Sequence, residues 1–381
     1  MTQADTFEIF LAVAPGLEAV LREELVEKGF RKPKCVAGGV TIKGVWRDVW
    51  RANLEIRGAS RILARIASFR VVHLAQLDKL AREVDWARVL RADRPVRVEA
   101  SCKGSKIYHA GAVSERVGKA IAGALDVPVE EDAPVCVRAR IEDNVCTLSV
   151  DTSGELLHRR GFKAEVNRAP MRETLAALFL RAAGFDGKQA LVDPMCGSGT
   201  FVIEAAEIAG ALMPGRGRAF AFEDLPSFDD AIWQSVRQAS MRRAGELSEA
   251  CLAFGSDRDP GAVRMSRANA ERAGVTGRTD FQPADIREVE PPDTPPGLVI
   301  VNPPYGTRIS NKKALYDLYG AFGDRMRARF AGWRVALVTT DAALARATRL
   351  PFETLTGPVD HGGLKVRLHV TPALPSAASR N

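Results

Sequence analysis

Short apolar runs and helix-period segments alternate along the first 150 residues. Residues 7–14 read as a strand, and Pro15 opens a helix to Lys28 that stops at Gly29, following the rule of proline first and glycine last. Residues 34–43 read as a second strand, 47–56 as a helix, and 61–71 as an alternating strand. A helix over 76–84, a strand over 95–101 and a helix over 112–125 follow. Two more strands, 135–141 and 145–151, meet at Glu142-Asp143-Asn144, a hairpin turn. The pattern predicts an α+β region of two small units.

From Thr152 to Pro170 the periodicity lapses into a connector containing Gly154 and Arg159-Arg160-Gly161. Beyond it the elements are more widely spaced: helix 171–183, strand 190–193, helix 200–212, strand 252–257, helix 261–273, strands 279–281 and 298–301, helix 312–330, strand 334–339. This order predicts an α/β fold with a doubly wound, mostly parallel sheet, whose ligands sit outside the carboxyl ends of the strands. The expected division is 1–57, 58–153, a linker at 154–170, a large domain at 171–373 and a tail at 374–381.

With 381 residues, 27% charged and 46% hydrophobic, the chain has ordinary globular composition, enough for two or three cores. No uncharged apolar run approaches the roughly 18 residues a membrane helix needs. Residues 7–14 do not suit a secretion signal, because acidic Asp5 and Glu8 stand where a basic region belongs. The six cysteines, Cys35, Cys102, Cys136, Cys146, Cys196 and Cys251, form no C-x-x-C pair and lack histidines at metal-ligand spacing. They read as reduced thiols, so a cytoplasmic protein without a metal is expected. The excess of 54 Lys+Arg over 47 Asp+Glu is mild. It is locally stronger where Lys43, Arg47, Arg51, Arg57, Arg61, Arg65 and Arg70 oppose only Asp48 and Glu55. That stretch is expected to form a basic face for phosphates, continuing through Arg159 and Arg160.

Four loops carry candidate chemistry. Asp193-Pro194-Met195-Cys196-Gly197-Ser198-Gly199-Thr200 runs from a strand through two glycines into a helix. The glycines let a ligand approach the backbone, and the helix start offers free N–H groups. The third glycine of a dinucleotide fingerprint and the Gly-Lys-Ser/Thr of a phosphate loop are both absent. A ligand without a pyrophosphate is therefore favoured, and Asp193 suits an amino group or cation. Asp257, ending the next strand, can accept from both hydroxyls of a ribose, although Asp257 or Asp259 could equally cap the following helix. Asp285, after the third strand, can reach an adenine amino group or serve as a solvated loop carboxylate.

The fourth loop is the most telling: Leu298-Val299-Ile300-Val301-Asn302-Pro303-Pro304-Tyr305-Gly306. Two prolines stiffen the backbone and remove two N–H donors. The Asn302 side-chain oxygen and a prolyl carbonyl then remain as acceptors for the two hydrogens of an exocyclic NH₂. The Tyr305 ring could carry an extruded base.

Together these loops resemble the class I S-adenosylmethionine-dependent amino methyltransferases. Leu157-His158-Arg159-Arg160-Gly161-Phe162 with Ala169-Pro170-Met171-Arg172-Glu173-Thr174-Leu175 narrows the resemblance to the THUMP-domain RNA methyltransferases of the RlmL type, which methylate N2 of a guanine in large-subunit rRNA. The likeness extends to Ala211-Leu212-Met213-Pro214-Gly215 and the long insertion after it.

The resemblance implies a ferredoxin-like subdomain at 1–57, a THUMP RNA-binding domain at 58–153 and a Rossmann-like methyltransferase domain at 171–373. It implies a cofactor site of Asp193, Pro194, Cys196, Gly197, Gly199, Thr200, Asp257, Asp285 and Asn302. The catalytic loop would be Asn302, Pro303, Pro304 and Tyr305. Lys103 and Lys106, beside Tyr108 and His109, together with Arg159 and Arg160, are expected RNA contacts. Cys196 lies in the cofactor loop, which favours packing over a nucleophilic role. Two departures stand out: Thr307-Arg308 replaces the family's frequent Glu-Arg, and the chain stops where some relatives carry a second methyltransferase domain, so no fused activity is expected. The implied function is direct methyl transfer to a guanosine N2 of 23S rRNA by a monomer. A tRNA guanine-N2 methyltransferase and a non-catalytic RNA-binding assembly factor are the alternatives.

Overall fold

A computed structural model describes residues 6–163, 171–244, 252–305 and 312–375. The chain divides into two compact units. The first comprises Met1–Val13, Leu21–Leu157 and Arg218–Arg243, and the second Ala14–Val20, His158–Gly217 and Ala244–Asn381.

The amino-terminal part runs β1 (Phe7–Ala12), α1 (Glu18–Glu27), β2 (Lys34–Val36), β3 (Gly39–Gly44), α2 (Trp46–Glu55), β4 (Arg61–Arg70), α3 (Leu74–Arg82), β5 (Val96–Lys103), α4 (Ala110–Leu125), β6 (Val135–Glu142) and β7 (Val145–Asp151). Its strands form one sheet in the order β2-β3-β1-β4-β7-β6-β5, antiparallel except for the β5–β6 pair. The single strand expected over 34–43 is a hairpin instead. Gly38, at φ +73, makes the turn, and a side chain at Gly39 would collide with the Phe10 ring. The β6–β7 turn is where the sequence put it: Asp143 and Asn144 both take positive φ, the conformation a tight hairpin requires.

The expected basic face is largely neutralised. Arg51 pairs with Glu55, Arg65 with Glu8, and Arg61 with the buried carboxylate of Asp151. Arg57 is itself buried. Of the seven residues only Lys43, Arg47 and Arg70 are exposed. Glu55 is a local partner on α2, but strand pairing brings Glu8 and Asp151 from distant sequence to Arg65 and Arg61, which local charge counting does not register.

The rest of the chain continues α5 (Glu173–Ala182), β8 (Leu191–Asp193), α6 (Thr200–Ala209), α7 (Asp230–Ala244), β9 (Ala253–Asp257), α8 (Pro260–Ala273), β10 (Thr279–Pro283), β11 (Leu298–Val301), α9 (Lys312–Arg329), β12 (Arg334–Thr339), α10 (Ala342–Ala347), β13 (Glu353–Thr354), β14 (Val359–His361) and β15 (Leu364–Val370). The second unit's sheet has the order β10-β9-β8-β11-β12-β15-β13, with β14 paired to β15. The first five strands are parallel, and β15 returns antiparallel. Winding reverses between β8 and β11, which opens a crevice at their carboxyl ends. Both central strands are buried throughout, as their unbroken apolar runs require.

Within the insertion between α6 and β9, Arg218–Arg243 belongs to the first unit. Trp50 of α2 stacks on Phe222 with centroids 5.9 Å apart. Phe222 in turn stacks on Phe220 at 5.1 Å and meets Trp233 edge-on at 5.2 Å. Arg218 donates to the carbonyls of Glu155 and Leu156, and Phe222 N–H donates to Thr152 O at 3.1 Å.

Candidate functional site

The loop leaving β8 is held from beneath by its neighbours. Cys196 N–H donates to Ser256 O at 2.9 Å, and Gly197 N–H donates to Asp257 Oδ2 at 3.0 Å. From α8, Ser266 Oγ donates to Gly197 O and Asn269 Nδ2 to Ser198 O, both at 3.0 Å. Gly199 has φ +80, and a Cβ there would lie 3.1 Å from the Ser266 side chain. Gly197 also has positive φ, yet a Cβ there would meet nothing within 4 Å. One glycine thus allows close packing behind the loop, and the other leaves its front open to a ligand.

Three acidic residues mark the strand ends. Asp193 is 3% exposed and accepts Met195 N–H at 3.1 Å. Burial, with the Asp257 carboxylate nearby, pushes its pKa up to about 8, so the free chain holds it protonated at neutral pH. Asp257 accepts N–H groups from Gly197 and Asp259 while retaining lone pairs for hydroxyl donors. The cap of α8 is made by Asp259, whose Oδ1 accepts Gly261 N–H at 2.8 Å, so Asp257 is not the capping residue. Asp285 Oδ1 accepts from the backbone and guanidinium of Arg287, both at 3.0 Å, which lowers its pKa.

At the end of β11, Asn302 Oδ1 is buried with no hydrogen-bond partner among the described residues. A buried acceptor left open in this way calls for a donor from a ligand. The chain behind it is pinned by Tyr319 of α9, whose hydroxyl donates to Pro304 O at 3.3 Å. Tyr305 is fully buried, so the ring does not lie open as the sequence reading expected. Gly306, Thr307 and Arg308 lie outside the described residues.

Pro194, Cys196 and Thr200 are buried within the loop. Burial raises the Cys196 thiol well above the usual range, which leaves it un-ionised and suits packing. Arg160 departs from the expected RNA contact. It is 3% exposed and points inward at Glu204 and Glu207 of α6, the latter also paired with Arg216. Arg159 is exposed, as are Lys103 and Lys106 in the first unit. There Lys106 N–H donates to Asn144 Oδ1 and Asn144 N–H to Ser105 Oγ, tying the loop to the β6–β7 turn. Tyr108 beside them is 79% exposed.

Several contributors escaped the sequence reading. Lys163 Nζ donates to Thr200 Oγ1 at 2.8 Å and Met171 O at 2.9 Å, and lies 3.3 Å from Glu173. Arg272 holds Phe162 O at 2.8 Å and also donates to Asn269. Ser266 and Asn269 did leave a signal, being polar residues three apart on a face otherwise occupied by Ala262, Val263, Ala270 and Ala273.

The residues present fit a ligand carrying a cation and a ribose. An open glycine cradle, an ionisable buried acid and a second acid with free lone pairs surround one crevice beside an unfilled acceptor. No group of three or more His, Cys, Asp or Glu side chains converges as a metal site among the described residues.

The chain is similar to known proteins over nearly its whole length. Residues 160–359 match the RMKL-like methyltransferase domain family, 8–63 the RlmL ferredoxin-like domain and 72–151 the THUMP domain. A provisionally named RNA methyltransferase of Synechocystis is 32% identical over 377 residues, covering 96% of each chain. The ribosomal RNA large subunit methyltransferase K/L of Psychromonas ingrahamii is 31% identical over 92% of this chain, which spans 49% of that protein. Among solved structures, SMU.472, provisionally named a methyltransferase and complexed with SAH, shares 28% identity. It covers 99% of this chain and 100% of its own at a TM-score of 0.88.

Proposed function

The chain belongs to the RMKL-like methyltransferase family, and on that premise we propose that it methylates the exocyclic N2 amine of a guanosine in 23S rRNA, using S-adenosylmethionine. The observation that carries this reading is the buried, unpartnered Oδ1 of Asn302 at the switch point of the sheet. It can accept one amine hydrogen, and the carbonyl of Pro303 is the natural acceptor for the other. Held in this way, the amine turns its lone pair toward the crevice.

The bound cofactor supplies an electrophilic methyl group on a positively charged sulfur. Around it, Gly197 leaves room at the backbone, Asp257 would receive the ribose hydroxyls and Asp285 the adenine amine. Asp193, once ionised, would balance positive charge. Asn302 cannot take up a proton, so its part is orientation, and the proton released by the amine passes to water. Alignment in a rigid site accounts for most of the acceleration in such a reaction.

RNA is the partner this reading requires, supported by the THUMP match and the names of the two relatives. Lys103, Lys106 and Arg159 remain its proposed contacts, and the active species is a monomer. Radiolabelled cofactor supplied with rRNA and tRNA in separate reactions tests the substrate: label is expected in rRNA, and label confined to tRNA favours a tRNA guanine-N2 methyltransferase instead. Asn302→Ala should lower kcat about 100-fold, with a smaller loss of cofactor affinity. Full activity in that variant would discard the mechanism.

A further inference from the structure

The face of the second unit's sheet opposite α6 carries a cavity of about 410 Å³. Strand alternation defines this face. A Cβ on Gly255 would lie 2.6 Å from Phe281 and 3.1 Å from Val202 of α6, so Gly255 and Phe281 face the helix. Phe254, Ser256 and Asp280 therefore face the cavity. A crossover between parallel strands is usually helical. Between β10 and β11 none of the named elements intervenes, and the loop there roofs the space without filling it.

Two independent features describe the missing occupant. Ser256 is 6% exposed, and its Oγ is buried with no hydrogen-bond partner among the described residues. Among the described residues the lining also holds four carboxylates, Asp280, Glu288, Glu290 and Asp293, and no lysine or arginine. Glu290 is engaged by Arg325 at 2.8 Å and Arg329 at 2.6 Å, and Asp280 accepts from Gln282 at 2.8 Å. Those arginines fix the loop and leave the other acids to a ligand. The carboxylates are spread along the walls and do not converge as a metal cluster. Val192, Phe254 and Val289 provide apolar wall between them.

We propose that this cavity binds a linear polyammonium ion, its spaced charges meeting Glu288, Asp293 and Asp280 and its methylenes lying on Val192, Phe254 and Val289. The hydroxyl of Ser256 gains its missing partner from an ammonium hydrogen. The proposal does not depend on the identity of the RNA.

Calorimetric titration of the full chain with spermidine tests it. One molecule should bind per chain, and the double variant Glu288→Gln, Asp293→Asn should bind about tenfold more weakly. Ser256→Ala should weaken binding about threefold. Unchanged affinity in the double variant, whose two positions are exposed, would overturn the proposal. So would equal displacement by magnesium at matched ionic strength, since that marks diffuse attraction to an acidic surface.

Discussion

At the scale of the residue, Asp193 makes the sharpest prediction. A carboxyl whose folded pKa is raised from 3.8 to about 8 keeps a proton that the unfolded chain has already lost. Stability of the ligand-free protein therefore falls as pH rises between those values and levels off above about 8. Urea midpoints measured across pH 5–8 should decline, and Asp193→Asn should flatten the decline. A cationic ligand in the crevice favours the ionised form. Cofactor binding near neutrality should thus release a proton, seen as a dependence of calorimetric heat on buffer ionisation enthalpy that the Asn variant lacks. The positions of Asp193, Asp257, Asp285 and Asn302 at or just beyond strand ends were legible in the sequence, because an apolar strand running straight into a polar residue is a local pattern. The inward turn of Arg160 is not legible, for the converse reason. Its partners Glu204 and Glu207 lie some forty residues downstream, and nothing near Arg160 in sequence announces them. Arg160→Met should cost about 3 kcal/mol in chemical denaturation, since it strands buried carboxylates.

At the scale of the element, α6 and the segment before α5 act on each other. The amino end of α6 follows directly on the glycine loop leaving β8, and Lys163, Arg160 and Arg272 secure the chain at 160–163 beside it. Lys163 is nearly buried, which lowers its pKa, and the Glu173 carboxylate opposes that shift. Lys163→Met should raise the cofactor KM severalfold with a smaller change in kcat, and Lys163→Arg should restore part of the loss. Gly199→Ala combines a φ of +80 with a 3.1 Å approach to Ser266, and should abolish cofactor binding measured by fluorescence quenching. The core strands and α8 were foreseeable from unbroken apolar runs and capping residues. The Gly38 turn was not, because a glycine pair inside an apolar run suits a strand until Phe10 is seen against Gly39. α7, α10 and β13–β15 went unread as well; β13 and β14 are two and three residues long, too short to show a period.

At the scale of the whole molecule, sequence order and structural unit do not coincide. The chain completes β7 at Asp151, yet the aromatic cluster around Trp50 is supplied by Phe220, Phe222 and Trp233. A fragment ending at residue 157 should expose Trp50, bind a hydrophobic dye and melt without a cooperative transition, whereas the full chain should not. The insertion could be seen in the sequence as a gap in the strand-helix rhythm, but not its destination, since a run of aromatic residues does not say which core it completes. There is also a consequence in time. On the ribosome the amino-terminal unit emerges first but cannot close its core until residues 158–243 have followed, on the order of ten seconds at typical elongation rates. Through that interval its apolar surface waits uncovered, and the nascent chain is a client for whatever shields such surfaces at the exit tunnel.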